Sequence, residues 1–198
     1  MGLKFEYKPG QTPLDEDEIE GLLLNTLTTQ GELDQLEQQN IEKGILWSMN
    51  HKTKTEDILT EAFIKKLHIQ MFGEVWGWAG KFRQTNKNIG SEWPKMAIDL
   101  KQLLEDTLFK IKNNTYEPDE IIIRFKHRLV CIHCFSNGNG RHSRIMADIL
   151  AEKLLNIEQY TWGRDSIVRS GNTRDKYISA LRQADRGNFE PLIEFARS

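Results

Sequence analysis

Between Pro118 and Leu155 an apolar helical repeat is interrupted once, and that interruption constrains the chain more than any other feature. Ile122, Phe125, Leu129 and Ile132 follow at helical spacing from a start marked by Pro118, Asp119 and Glu120. Proline is pre-organised for a first helical turn, and acids there complement the positive end of the helix. The pattern stops at His133, gives way to CFSNGNGR, and resumes from Ile145 through Leu155. Two helices joined by a glycine-bearing polar loop are therefore expected.

The rest of the chain reads in the same way. Residues 1–14 form an extended lead-in with turns at Pro9-Gly10 and Thr12-Pro13. Five acids between Asp15 and Glu20 suit the start of a helix running to about Leu27. Leu33, Leu36, Ile41, Ile45 and Trp47 mark one face of a helix over 31–49. Thr60 can cap a helix that places Phe63, Ile64, Leu67 and Met71 together and ends at Phe72. From 73 to 93 glycines punctuate Trp76, Trp78, Phe82 and Trp93, which predicts a short β-hairpin flap. Helical spacing returns over 94–112, and two closing helices fit 174–185 and 188–197, capped by Thr173 and Asn188. The expected fold class is mainly α, a helical bundle with one short hairpin. Residues 1–54 read as an N-terminal lead-in with helices, and 55–198 as the main domain.

Composition excludes several functions. Lys and Arg number 27 against 29 Asp and Glu, so the basic excess of a nucleic-acid-binding protein is missing. No apolar run approaches the ~20 residues of a spanning helix. The start lacks a signal peptide's apolar stretch, and Glu6 spoils an N-myristoylation pattern. Two closely spaced cysteines, Cys131 and Cys134, cannot staple a fold, so a reducing, cytoplasmic setting is expected.

The chemistry concentrates in the loop. Gly138 and Gly140 permit positive φ and close backbone approach just ahead of a helix, whose N-terminal N–H groups make an anion site. Arg141 and Arg144, three apart, can face one anion with planar donor forks, and two forks suit a polyphosphate. From Ile121 to Ala147 there is no acid, while Arg124, Lys126, Arg128, Arg141 and Arg144 supply five cations. His133, at the rim of this loop, is the natural general base. A plain helix–loop–helix turn with solvated arginines accounts for the same letters. The loop is neither a P-loop nor a Rossmann fingerprint, since no Gly-Lys-Ser/Thr follows and no strand precedes it.

His133, Phe135, Gly138, Asn139, Gly140, Arg141 and Arg144 match H-x-F-x-[DE]-G-N-G-R-x-x-R, and over roughly 55–197 the chain resembles the Fic (filamentation-induced-by-cAMP, or Fido) family. Trp76–Gly80 with Lys81-Phe82-Arg83 looks like the family's flap region, and Tyr177 to Phe195 like its closing helices. The whole chain, including 27–33, is also similar to the bacterial subgroup called mobile mystery protein B. The resemblance implies an all-α domain that moves AMP from ATP, with Mg²⁺, to a Ser, Thr or Tyr hydroxyl of a target protein. On it, His133 is the catalytic base, and Asn137, Gly138, Asn139, Gly140, Arg141 and Arg144 bind the nucleotide phosphates. Phe135 anchors the loop, and the flap at about 82–90 holds the target by strand addition. It implies no nucleic acid or membrane as partner, and leaves room for an antitoxin protein.

Asn137 stands where the family has Asp or Glu, so the Mg²⁺ ligand at this position is a neutral amide. Cys134 replaces the usual proline. Many relatives carry an inhibitory helix with [ST]-x-x-x-E-[GN], whose Glu pairs with the second motif Arg. Thr28 to Glu32 fits apart from Leu33, Glu37 is a second candidate, and Arg144 is the expected partner. Both glutamates also fit as surface carboxylates of an amphipathic helix. Cys131 and Cys134 with His127 and His142 raise a zinc site, although structural zinc takes two separated ligand pairs. Two functional readings stand: a nucleotidyltransferase of unassigned base selectivity, and a nucleotide-binding or toxin–antitoxin interaction module of the same fold.

Overall fold

A computed structural model of the chain describes residues 12–24, 26–163 and 173–198. The lead-in turn expected at Pro9-Gly10 lies outside them. The described helices are α1 (Glu16–Ile19), α2 (Gln30–Asn50), α3 (Thr55–Ile58), α4 (Glu61–Phe72), α5 (Met96–Asn113), α6 (Pro118–Ile132), α7 (Asn139–Lys153), α8 (Thr173–Ala184) and α9 (Glu190–Arg197). None is long and apolar enough to cross a membrane.

Local chemistry sets the boundaries. Thr29 caps α2 by accepting from Glu32 N at 3.3 Å, while the Glu32 carboxylate returns to Thr29 N, a reciprocal capping box. Thr60 caps α4 through Phe63 N at 3.2 Å. α6 begins at Pro118 and ends where His133 turns left-handed, at φ 58°. Helix α2 packs on α4, α5 on α6, α6 on α7, and α9 on both α8 and α6. Their apolar faces meet in one core through Leu67, Met71, Phe72, Ile122, Phe125, Leu129, Ile132, Met146 and Leu150. α2 contributes Leu33 and Ile41 to that core.

Three expectations change. The helix expected from Asp15 to about Leu27 ends at Ile19, because the chain beyond it turns to bond the segment after α4. Leu23 N donates to Val75 O at 2.9 Å, and Gly77 N to Gly21 O at 2.8 Å. These long-range bonds compete with continuation of the helix. Second, α7 starts at Asn139 rather than near Ile145, so half of the polar loop is already helical.

Third, the flap at 82–90 is no β-hairpin: no strand pairing occurs there, and the isolated bridge Leu22–Trp76 lies elsewhere. Arg83 takes the place of ladder bonds. Its guanidinium donates to Thr85 O at 2.6 Å on one arm and to Ser91 O on the other. It also donates to His133 O at 2.5 Å and Ile132 O at 3.3 Å, so one buried cation holds the flap against the end of α6. A helix C-terminus carries unsatisfied carbonyls and partial negative charge, which suits a guanidinium there.

Candidate active site

The loop between α6 and α7 is built on Phe135, which is fully buried and stacked on His68 with centroids 3.7 Å apart. Asn139 closes the loop from inside. Its Oδ1 accepts from Phe135 N at 2.9 Å and its Nδ2 donates to Phe135 O at 2.7 Å. Both polar ends of this buried side chain are engaged, so Asn139 shapes the loop and only its backbone is left for a phosphate. His68 supports the same turn, with Nδ1 accepting from Gly80 N at 3.0 Å and Nε2 donating to Asn137 O at 3.1 Å. Gly138 has φ +78°, and a Cβ there would stand 2.5 Å from the Phe72 ring. That position demands glycine on both counts.

Beyond Gly138 the first turn of α7 presents backbone N–H groups that have no partner within the helix. A Cβ on Gly140 would meet nothing within 4 Å, so space is open beside them. Arg141 and Arg144 rise from the same turn. Arg144 lies 5.7 Å from the Tyr177 ring and donates to Gly140 O at 3.3 Å, with no ion pair among the described residues. Arg141 donates to Glu37 Oε2 at 2.7 Å, and Glu37 Oε1 accepts from Trp76 Nε1 at 2.7 Å.

The other three expected cations are held by partners of their own. Arg124 pairs with Glu120 and Arg128 with Asp99, while Lys126 is buried against the Tyr177 hydroxyl. A helix spreads consecutive charges round its circumference, so the cationic run in the sequence divides among three neighbours.

His133 ends α6 and is 4% exposed. Its Nε2 lies 3.3 Å from Thr12 Oγ1. Burial, then the charge of Arg83, pushes its pKa down to about 4, against the pull of the Val130 carbonyl. The imidazole is therefore neutral at pH 7 and able to accept a proton. Gly90 of the flap passes so close, at φ +113°, that a Cβ would lie 2.8 Å from His133 Cβ.

Asn137 has its amide in use as well: Oδ1 accepts from Gly138 N at 2.6 Å, and Nδ2 donates to Thr12 O at 3.3 Å. With a neutral, already bonded oxygen and no acid between His133 and Arg144, the loop fits a hard divalent cation poorly.

Glu32 is not brought to the motif. Its exposed carboxylate accepts from Thr28 N at 2.9 Å and Thr29 N at 3.1 Å, bonds that hold its pKa below the usual carboxylate value. Glu37 is brought there, but to Arg141 in place of Arg144. The cysteines part company: Cys134 is buried in the core, while Cys131 lies beside His127 and Asp185. His142 instead donates to Ile64 O at 3.0 Å inside the core.

Sequence reasoning missed Arg83, His68 and Thr12. Arg83 stands in the stretch likened to the flap, but its partners are carbonyls about 50 residues away, which no local pattern announces.

Residues 58–151 match the Fic/DOC family. The protein adenylyltransferase Fic of Aedes aegypti is 27% identical over 143 residues, 70% of this chain and 27% of that protein. Its counterpart in Nematostella vectensis is 27% identical over 146 residues, 72% of this chain and 32% of its own. This chain thus spans about a quarter to a third of the length of these curated relatives. Among solved structures, Fic-1 from C. elegans superposes with TM-score 0.67 at 18% identity, over 90% of this chain and 50% of that one. BepC of Bartonella tribocorum, with bound AMPPNP, gives TM-score 0.67 at 18% identity over 92% and 97%. Residues 58–151 thus match the Fic/DOC family, and the superposed structures share the fold.

Proposed function

We propose that this chain transfers a nucleoside monophosphate, AMP from ATP, to a hydroxyl of a protein. The observation that carries the reading is the placement of a buried, neutral imidazole beside a helix N-terminus that bears Arg144, which has no ion pair among the described residues. His133 Nε2 takes the proton of the acceptor hydroxyl as its oxygen attacks the α-phosphorus. The backbone N–H groups of the first turn of α7 hold phosphate oxygens, and Arg144 bears the terminal phosphates and the departing pyrophosphate. The protein supplies position and charge, and no covalent intermediate is needed. Arg83 holds the carbonyl of His133 and so orients the base.

The relatives carry the names of protein adenylyltransferases, which supports AMP and a protein target. Magnesium, on this reading, arrives with the nucleotide phosphates and gains little from Asn137. Glu37 restrains the site by occupying Arg141, and residues 1–54 are its regulatory part. On this reading the chain is a bacterial protein of the mobile mystery protein B subgroup, set in a reducing cytoplasm in keeping with Cys131 and Cys134, with an antitoxin as partner. A second reading, nucleotide binding without transfer, is favoured by the neutral Asn137 and by the Glu37–Arg141 pair.

The test is a bacterial lysate incubated with the chain and with ATP, CTP, GTP or UTP labelled at the α-phosphate. The expected result is labelled protein that requires His133 and increases with Glu37→Gly. Calorimetric nucleotide binding without any label in either form would favour the second reading.

A further inference from the structure

The chain's own lead-in lies across the base. Thr12 Oγ1 is 3.3 Å from His133 Nε2, and Thr12 and His133 are only 7% and 4% exposed. An outside hydroxyl cannot reach Nε2 while Thr12 stands there. The segment is held by both the loop and the flap. Asn137 Nδ2 donates to Thr12 O at 3.3 Å, so the loop fixes its backbone. From the flap, Thr85 Oγ1 donates to Asp15 Oδ2 at 2.8 Å, and Lys87 Nζ bonds Asp15 Oδ2 at 2.7 Å and the Glu18 carboxylate. Lys87 is 3% exposed in its side chain beneath these acids. Pro13 biases Thr12 toward extended backbone, the form in which a peptide lies along a flap.

A polar segment tethered to loop and flap, with one hydroxyl on the base, has the geometry of a bound acceptor. We propose that Thr12 is an acceptor of this site, modified in cis. The proposal rests on the transferase reading above. Thr12 Oγ1 forms a bond to the α-phosphorus of a nucleoside triphosphate, and the bond from that phosphorus to the α,β-bridging oxygen breaks. The hydroxyl proton passes to His133 Nε2, and pyrophosphate leaves with the bond's electron pair. The product is a phosphodiester on Thr12.

The experiment is intact-mass and peptide mapping of the purified chain and of Glu37→Gly after incubation with ATP and Mg²⁺, beside the labelled lysate assay. Expected is one nucleotide monophosphate on the peptide containing Thr12, at a rate independent of protein concentration. It should be absent from Thr12→Ala and His133→Ala and retained in Thr12→Ser. An adduct only on another residue, or labelled lysate proteins with Thr12 bare, would overturn the proposal and leave the transferase reading standing. A rate that rises with protein concentration would overturn transfer in cis. No label on the chain or on any lysate protein, in either form, would overturn both.

Discussion

On the proposed reading, His133 and Arg144 divide the labour at the level of single residues. Truncating His133 to alanine removes the proton acceptor and leaves the phosphate contacts, so nucleotide affinity should hold while transfer falls by at least the ~10²–10⁴-fold typical of general-base loss. Calorimetry beside a label-transfer assay separates the two effects. Arg144→Ala should weaken ATP binding far more than AMP binding, since its proposed contacts are with the terminal phosphates. Equal losses would move Arg144 away from that end of the nucleotide. Asn137→Asp restores a charge beside the phosphates, so the Mg²⁺ dependence of transfer should steepen in a metal titration. At Gly138, alanine must adopt φ +78° against the Phe72 ring. The left-handed backbone alone costs about 1–2 kcal/mol. A melting temperature lowered by at least ~2–4 °C per kcal/mol is expected for a chain of this size.

At the level of elements, α2 separates two glutamates that the sequence presented as rivals. They are five residues apart, more than one helical turn, so they face different neighbours. Glu32 serves the N-terminus of α2, and Glu37 reaches Arg141 and Trp76 across the bundle. Glu32→Ala should therefore lower stability slightly, through loss of the capping-box contact to Thr29 N, and leave transfer unchanged. Glu37→Gly should raise transfer by releasing Arg141. Denaturant unfolding and label transfer on the same two proteins would check both, and activation by Glu32→Ala would reverse the assignment. The flap teaches a related lesson. Its glycines and aromatics correctly marked a loop, but hairpin pairing is absent because Arg83 satisfies the carbonyls of both arms.

Across the whole molecule, burial of histidines couples stability to acid. His133 and His142 are each pushed down to about 4 by desolvation, and buried His68 is lowered as well. In the unfolded chain these rings protonate near the ordinary value of 6.5. Between that value and about 4 the unfolded state therefore binds more protons, and stability falls as the pH falls through this window. Above 6.5 the rings are neutral in both states and the dependence vanishes. Urea midpoints at about pH 7 and about pH 5 should differ, the lower pH being the less stable, with the gap narrowed in His142→Gln.

The helices α4, α5 and α6 could be read from Thr60, from the spacing of Leu100, Leu103 and Leu104, and from Pro118, because each boundary is set by chemistry within a turn or two. The glycine-bearing loop was legible for the same reason: glycine freedom and a following helix are local properties. The end of α1, the division of the cations of α6 among Glu120, Asp99 and Tyr177, and the pairing of Glu37 with Arg141 were not legible. Each depends on which side chain a distant segment brings alongside. By itself, then, the sequence determined most of the helices and the glycine-bearing loop, and offered His133 as the candidate base. Only the tertiary structure decided which polar groups meet, and so which arginine is occupied and which hydroxyl lies on His133. Hydrogen bonds and ion pairs act over about 3 Å, a distance that packing sets and sequence spacing does not.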